Sequence, residues 1–595
     1  MKIKLSDYLA KRLAEHYGVK KLFMVSGGGA MHLNNSFGRF IPYICNHHEQ
    51  GAAIAAEGYA RVNEKLAVVN VTTGPGGLNC LNGVFGQWTD SVPVLYISGQ
   101  VKFSTCKASC PDLPLRQLGD QEVDIISVVK SLTKYAVMVS KPEEIKYHLD
   151  KAIYLATHGR KGPVWLDIPM NVQAAMIDDE NLREFDVPCL PKADVSGPVS
   201  QLIEKINSAK RPLFVAGHGI RLSGQQANFG KLVNTLKIPS VVTFNGGDLL
   251  STDNPCNVGK IGTIGQRAGN FALQNADLLV CFGTRNNIRQ ASYNWENYGK
   301  KAFKVVIDID SAELSKPLVR PDLSICADLS DIIPELLSAC VDKSLHEFSN
   351  KGWLNYCNDV KSKFDFEHTK EYQQDFNGLI NPYYFTKVLT SRLKKDDTLV
   401  SANATPSICI FQAGEYHGQR VIMNSGDASM GYGLPCSLGA ALETKGRTVC
   451  CEGDGSIMMN IQELQTIGFN KIPVKIFVYK NDGYSSIRQS QKNFFNGNMT
   501  GSGPTSGVSV PDFTKVAEAF GIKSLSIKKA SEIPAALDEV FSSDEPILCE
   551  VQTEVDYTFT PKLSARTLPD GTMVSPSLED MFPFIDREEF ELLMK

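Results

Sequence analysis

No run of apolar residues in this 595-residue chain is long enough to span a membrane. The first stretch, Met1 to Tyr17, is a helical stripe (Leu5, Tyr8, Leu9, Leu13) broken by charges, not the pattern of a secretion signal. Charge of one sign is equally scarce. The formal net charge is −4, which gives no reason to expect nucleic acid or an acidic membrane as partner. A disulfide framework is missing too, because the 15 cysteines are scattered. Cys45, Cys80, Cys281 and the Cys450-Cys451 pair lie in apolar or strand-like contexts, as reduced buried thiols do. Cys106 and Cys110 are followed by no second pair or histidine at zinc spacing. His48-Glu49 begins like HExxH, but Ala52 stands where the second histidine is needed. No short-period repeat is visible. These absences leave a cytoplasmic globular protein as the expectation.

What is present is an alternation of short β-like runs with helical patterns, the mark of parallel sheets with crossover helices. The first strands are expected at Lys21–Val25, Leu66–Val71, Val94–Ser98 and Val164–Ile168. A proline-punctuated linker, Val187 to Pro198, then leads to strands at Leu213–Ala216, Ser240–Phe244, Leu278–Phe282 and Val305–Ile309. A charged helical connector, about Ser344 to Tyr384, precedes strands near Thr398, Arg420, Thr448, Val474 and Ile547. The reading is α/β: three doubly wound parallel-sheet domains at 1–185, 199–343 and 375–554, with a cap at 555–595 carrying Pro561, Pro569, Pro576 and Pro583.

The chemistry is densest between Gly453 and Gly483. Gly453-Asp454-Gly455-Ser456 follows an apolar run, a helix is expected over Met458 to Phe469, and Asn481-Asp482-Gly483 follows a second apolar run. Strand, glycine turn and helix present backbone N–H groups to a diphosphate. Asp454 and Asn481 offer hard oxygen ligands suited to Mg²⁺. In the first unit, Glu49 opens a small-residue helix (Gly51, Ala52, Ala53, Ala55, Ala56), where desolvation would raise a carboxylate pKa. Ser26-Gly27-Gly28-Gly29 and Thr73-Gly74-Pro75-Gly76-Gly77 are further glycine turns. Neither carries a P-loop or a complete GxGxxG, so each is weak alone.

Taken together, these motifs resemble those of thiamine-diphosphate enzymes of the acetolactate synthase type, nearly end to end. The pattern H-H-E-Q-G-A…A-E-G-Y-A-R is met from His47 to Arg61, and S/T-G-P-G-x-x-N with D-S-V-P at Thr73–Asn79 and Asp90–Pro93. Ser98-Gly99-Gln100-Val101, Gln121-Glu122, Met430 to Pro435, and the motifs at 453–456 and 481–483 follow in order. The resemblance implies that Glu49 bonds the pyrimidine N1′ and that Gln121 polarises the keto acid. It also implies that Met430 supports the bent cofactor and that the Ala428 carbonyl accepts from its amino group. Cofactor contacts would come from Gly27, Gly28, Thr73, Pro75, Gly76, Asn79, Gly453, Gly455, Ser456, Tyr484 and Ser485, with Mg²⁺ on Asp454, Asn481 and the Gly483 carbonyl. It implies a homodimer or homotetramer with sites between subunits, and a 2-keto acid, expected to be pyruvate, as donor to a carbonyl acceptor. The middle unit resembles the FAD domain of these synthases at Gly217, Arg285 and Asp308. FAD and an empty structural domain both stay open.

At the substrate-facing positions the chain departs from the synthases. Asp120 stands where they carry phenylalanine, Met170 where they carry lysine, and Ser490 where they carry a pocket tryptophan; Ile487 and the added Arg488 are its neighbours. A larger or hydroxyl-rich acceptor is therefore expected. The tail, with Pro561-Lys562-Leu563-Ser564 and Ser577 to Met581, resembles synthase-like enzymes of surface-sugar pathways, which add two carbons to a keto-sugar nucleotide. A genuine acetolactate synthase, a simple decarboxylase and a C–C lyase remain alternatives, and a silent regulatory paralogue is disfavoured because Glu49, Asp454 and Asn481 are all present.

Overall fold

The computed structural model describes residues 2–189, 194–368, 372–376, 378–567 and 570–594. Pro191 of the expected linker and Pro569 of the tail lie outside the described residues. Three six-stranded sheets account for most of the strands, and every neighbouring pair within them is parallel. Their central strands are continuous apolar runs because both faces are covered. Among the described residues no helix is long and apolar enough to cross a membrane.

The first sheet consists of β1 (Leu22–Met24), β2 (Tyr43–Cys45), β3 (Ala67–Val71), β4 (Val94–Gln100), β5 (Tyr135–Met138) and β6 (Val164–Pro169), in the order β2-β1-β3-β4-β6-β5. Between β2 and β3 runs α1 (Glu49–Asn63). The central sheet consists of β7 (Pro212–Ala216), β8 (Ser240–Val242), β9 (Asn257–Lys260), β10 (Leu278–Phe282), β11 (Phe303–Asp308) and β12 (Leu323–Cys326), in the order β9-β8-β7-β10-β11-β12. This is the 3-2-1-4-5-6 order of dinucleotide-binding sheets. Its helix α2 (Arg267–Asn275) receives the tail: Arg267 donates to the carbonyls of Met581 and Pro583, and Asn270 donates to that of Leu578.

The third sheet holds β13 (Thr398–Ser401), β14 (Arg420–Met423), β15 (Thr448–Gly453), β16 (Val474–Lys480), β17 (Lys523–Ile527) and β18 (Ile547–Gln552), ordered β14-β13-β15-β16-β18-β17. Numbered within its own unit this is 2-1-3-4-6-5, the order of the first sheet. The helices that matter here are α3 (Thr405–Ala413), α4 (Gly433–Ala441), α5 (Asp454–Ile457), α6 (Glu463–Asn470) and α7 (Ser485–Phe494). One expectation fails: of the helix foreseen over Met458 to Phe469 only the part from Glu463 forms, and a separate short helix ends before it at Ile457. Met458 and Met459 occupy the gap between them and are exposed, so their apolar spacing does not mark a core face.

The first and third units meet through α1 and α4, which approach at backbone distance. A Cβ on Gly58 would overlap the Cys436 carbonyl, and one on Gly439 would overlap that of Ala55. The Glu57 and Arg61 of the sequence motif serve this seam. Tyr432 Oη donates to Glu57 Oε1 at 2.8 Å, and Arg61 pairs with Glu57 at 3.1 Å and with Asp90 at 3.3 Å. Gly439→Ala is expected to cost about 1–3 kcal/mol or more by forcing the helices apart. A lower thermal unfolding midpoint checks it, with Gly230→Ala, where an added Cβ meets nothing, as the control.

Candidate functional site

In open α/β sheets, ligands collect beyond the C-terminal strand ends where the strand order reverses. In the third unit that point lies between β13 and β15. The loop after β13 (Asn403-Ala404-Thr405) therefore faces the turn after β15 (Gly453 to Ser456). Asp454 is fully buried there; its Oδ1 accepts the Gly455 N–H at 2.7 Å and its Oδ2 those of Asn481 at 2.8 Å and Gly483 at 3.2 Å. Burial pushes its pKa up to about 6, against the pull of those three N–H groups. A nearby cation would reverse that penalty. Asn481 Nδ2 donates to Thr405 Oγ1 at 3.2 Å, which fixes the amide and leaves the buried Oδ1 with no partner. An unpartnered amide oxygen beside a desolvated carboxylate is the donor set of a hard cation shared with phosphate. Among the described residues no group of three or more His, Cys, Asp or Glu gathers elsewhere as a metal site.

Around this centre opens a cavity of about 1050 Å³. Ala428, Met430, Gly453, Gly455, Ser456, Tyr484, Ser485 and Ile487 line it, together with Tyr293 from the central unit and Leu563 from the tail. Ser456 Oγ accepts the Gly431 N–H at 2.9 Å and Asn403 Nδ2 donates to the Ser429 carbonyl at 2.6 Å, so the Met430 segment is held at both ends. Ala428 and Ala404 both sit at positive φ, 57° and 63°. These strained turns aim backbone at the cavity.

Two expected substrate residues of this unit do not face it. Arg488 is 7% exposed, and its guanidinium donates to the carbonyls of Asn481 (2.6 Å), Asp482 (3.0 Å), Ser502 (2.9 Å) and Val555 (2.8 Å). It is consumed by the backbone behind the Asn481–Gly483 loop, so the predicted contact with an acceptor is corrected to a brace. Ser490 is exposed on α7 and its hydroxyl turns back to the Ser486 carbonyl at 3.1 Å. Ile487 and Phe494, seven residues apart on one helical face, form the apolar wall instead.

The first unit builds a second constellation at its own switch point, between β1 and β3. Gly27 and Gly28 follow β1; Thr73, Pro75 and Gly76 follow β3. A Cβ on Gly29 would overlap Thr73 Oγ1, which itself donates to the Gly99 carbonyl at 3.0 Å. Glu49, 8% exposed, opens α1; its Oε2 accepts from Asn79 Nδ2 at 2.9 Å, and a Cβ on Gly76 would lie 3.6 Å from its Oε1. His48 caps the helix by accepting the Gln50 N–H at 3.1 Å. Gln121 has φ of 60°, and its carbonyl packs on Gly74 so closely that a Cβ there would overlap it. Asp120 beside it is exposed, and Met170 caps the end of β6, half-buried. The carboxylate of Glu122 is spent on the N–H groups of Lys107, Leu118 and Gly119. Among the described residues, none of 1–185 lines the cavity at Asp454, so within one chain the two constellations are separate.

The central switch point, between β7 and β10, borders a further cavity of about 300 Å³. Arg285 and Asp308 line it, and burial pushes the Asp308 carboxyl up. Arg285 donates to the Thr89 carbonyl at 2.9 Å and pairs with Glu313 at 3.2 Å. Gly217 does not line it; it is the close packing point against the Gly283 carbonyl, and His218 and Gly219 take its place on the wall. The cleft, lined by polar groups and by Phe244, Ile261 and Ile264, lies at the position where sheets of 3-2-1-4-5-6 order bind nucleotides.

No motif marks Arg289. It lines both cavities, where burial depresses its pKa. Among the described residues its guanidinium has no hydrogen bond or ion pair; the Phe244 ring lies at 5.1 Å and Asp90 acts on it at longer range. Such a group calls for an anion. Thr405 and Glu463 are likewise unmarked, the first because an alanine, not a glycine, makes the turn before it.

Residues 3–128, 199–336 and 409–551 match, in order, the N-terminal TPP binding domain, the central domain and the C-terminal TPP binding domain of thiamine pyrophosphate enzymes. Acetolactate synthase 1, chloroplastic, of Oryza sativa subsp. japonica is 31% identical over 566 residues, covering 92% of this chain and 84% of that protein. The acetolactate synthase isozyme 2 large subunit of Escherichia coli (strain K12) is 30% identical over 570 residues, covering 95% and 97%. The acetolactate synthase large subunit of Lactococcus lactis subsp. lactis (strain IL1403) is 30% identical over 549 residues, covering 91% of each. With three parallel-sheet units, a diphosphate-type turn beside an open amide oxygen, and these matches in register, the chain belongs to the thiamine pyrophosphate enzymes, among the acetolactate synthase-like members.

Proposed function

We propose that the protein decarboxylates a 2-keto acid, pyruvate in the first instance, and joins the resulting acyl-anion equivalent to a carbonyl acceptor bearing an anionic group. Thiamine diphosphate, when bound, would supply the carbanion sink that decarboxylation of a keto acid needs. Asp454, Asn481 Oδ1 and the Gly483 carbonyl would hold Mg²⁺, and Ser456 and the N–H groups of the 453–456 turn would receive the diphosphate. Met430 and the Ala428 carbonyl place the pyrimidine end, and Glu49 shares a proton with its ring nitrogen. Gln121, Asp120 and Met170 of the first unit and Ile487 of the third are assigned to the substrate. Because the Glu49 and Asp454 constellations lie apart in one chain, we assign them to sites completed between two copies, in a homodimer or homotetramer. The central cleft is assigned to FAD, and the cytoplasm is the expected compartment. The working divisions are 1–185, 199–343, 375–554 and 555–595.

The single observation that carries the acceptor class is Arg289, a guanidinium at the cavity wall without a hydrogen-bond or ion-pair partner among the described residues. A second 2-keto acid, as for an acetolactate synthase, and a keto-sugar nucleotide both offer it an anion. Incubation with labelled pyruvate and a panel of aldehydes, keto acids and keto-sugar nucleotides, read by mass spectrometry, identifies the product. Acetolactate from pyruvate alone would make this a genuine synthase. Arg289→Met is expected to raise KM for an anionic acceptor roughly ten- to a hundredfold, as loss of a charge-assisted bond does. CO₂ release from pyruvate without acceptor should change little. Equal use of neutral and anionic acceptors by the parent enzyme would overturn the assignment.

A further inference from the structure

Glu463 begins α6, in the third unit, but its carboxylate is spent on the first. It is fully buried. Oε2 accepts from Asn46 Nδ2 at 2.8 Å and from Thr466 Oγ1 at 2.8 Å, and Oε1 accepts the His47 N–H at 3.2 Å. On the other side of Glu49, a Cβ on Gly51 would overlap Glu463 Oε1. The carboxylate is thus clasped by residues three and two before Glu49 and packed on the residue two after it. Behind Glu463, its N–H donates to the Asn460 carbonyl at 3.0 Å, Asn460 Nδ2 donates to the Gly431 carbonyl at 2.7 Å, and the Gly431 N–H donates to Ser456 Oγ at 2.9 Å.

We propose that Glu463 is a positioning residue: it sets the backbone approach to α1, and hence the placement of Glu49, and ties that placement to the Ser456 turn. The inference rests on the role given to Glu49 above. Three donors converge on this one carboxylate, and none of the three contacts is local to Glu49's own side chain. A charge-assisted acceptor of this kind orients what it holds. Catalytic groups displaced by about 1 Å can lose on the order of 10² in rate.

Glutamine at 463 keeps the shape but presents an N–H to either the Asn46 amide or the His47 N–H. Glu463→Gln is therefore expected to slow deuterium exchange at the reactive carbon of added thiamine diphosphate by about tenfold or more. Cofactor Kd should stay close to that of the parent, and the thermal midpoint of the cofactor-free protein should fall only modestly, as expected for one unpaired buried donor. The double variant Asn46→Asp with Glu463→Gln reverses the polarity of the contact. The introduced amide then donates to the introduced carboxylate, while its oxygen still accepts the His47 N–H. This pair should restore most of the exchange rate, which a merely structural lesion would not allow. Thr466→Val, which removes one donor and leaves Glu463 in place, should slow exchange by a smaller factor and covers the case in which Glu463→Gln does not fold. Parent-level exchange in a folded Glu463→Gln, or in Thr466→Val where Glu463→Gln does not fold, overturns the proposal, as does a slow, normally folded double variant. Glu49→Gln runs alongside. If its exchange is unimpaired, the role of Glu49 itself fails; if it is slow while Glu463→Gln is not, only the positioning role fails.

Discussion

Glu49→Gln is expected to lower CO₂ release from pyruvate by about 10²–10⁴, the range lost with a positioned acid–base group. The fold should survive. His48, not Glu49, caps α1, and a glutamine oxygen can still accept from Asn79. Loss of the negative charge in the first helical turn costs only about 0.3–1 kcal/mol. The cofactor should remain bound, because the residues proposed to hold Mg²⁺ and the diphosphate, within 453–483, are untouched. Timed release of labelled CO₂, with thiamine diphosphate binding followed by calorimetry, separates the two effects. Turnover at the parent rate would remove Glu49 from the mechanism.

Asp454→Asn should act on the opposite half and with the opposite signature. The carboxylate accepts three backbone N–H groups at once; an amide offers one oxygen and turns its own N–H against the Asn481 and Gly483 donors or the Gly455 donor. Leaving a buried donor unpaired costs about 1–3 kcal/mol, and the charge facing the metal is lost in addition. The unpaired donor lowers the stability of the folded protein, while loss of the charge should weaken Mg²⁺-dependent cofactor binding by about a hundredfold, a factor that corresponds to about 2.7 kcal/mol. Titration of thiamine diphosphate at fixed Mg²⁺ checks it. Chelation of the metal from the parent protein should reproduce most of the loss, and an unchanged cofactor Kd in the variant would show that Asp454 does not face the cation.

Legibility in the sequence follows from where each residue sits in its sheet. The thirteen strands expected from the sequence are interior or strongly apolar. Within the three six-stranded sheets, the five not expected, β2, β5, β9, β12 and β17, are all edge strands. An edge needs less apolar sequence, and Tyr43–Cys45 and Leu323–Cys326 alternate exposed with buried positions while Asn257–Lys260 is polar. Glycine turns at the switch points are legible because a close backbone approach leaves a residue-type trace. Ala404 makes an equivalent turn at positive φ without that trace. Arg488 misleads for a related reason: an arginine just past a metal motif looks like a substrate contact, whereas four main-chain carbonyls, two of them distant in sequence, claim it. Glu463 is hidden inside what reads as an uninterrupted amphipathic helix.

That arginine has a thermodynamic consequence for the metal loop. Asn481, Asp482 and Gly483 surrender their conformational freedom when the chain folds, because the Arg488 guanidinium and the Asp454 carboxylate already hold their carbonyl and amide groups. Ordering a residue costs about 1–2 kcal/mol of entropy, so a loop settled in advance withholds several kcal/mol of penalty from the moment of ligation. The calorimetric profile of cofactor binding should accordingly lack the large heat-capacity drop of coupled folding. Arg488→Ala should bring that drop into view by leaving the loop to order itself around the ion.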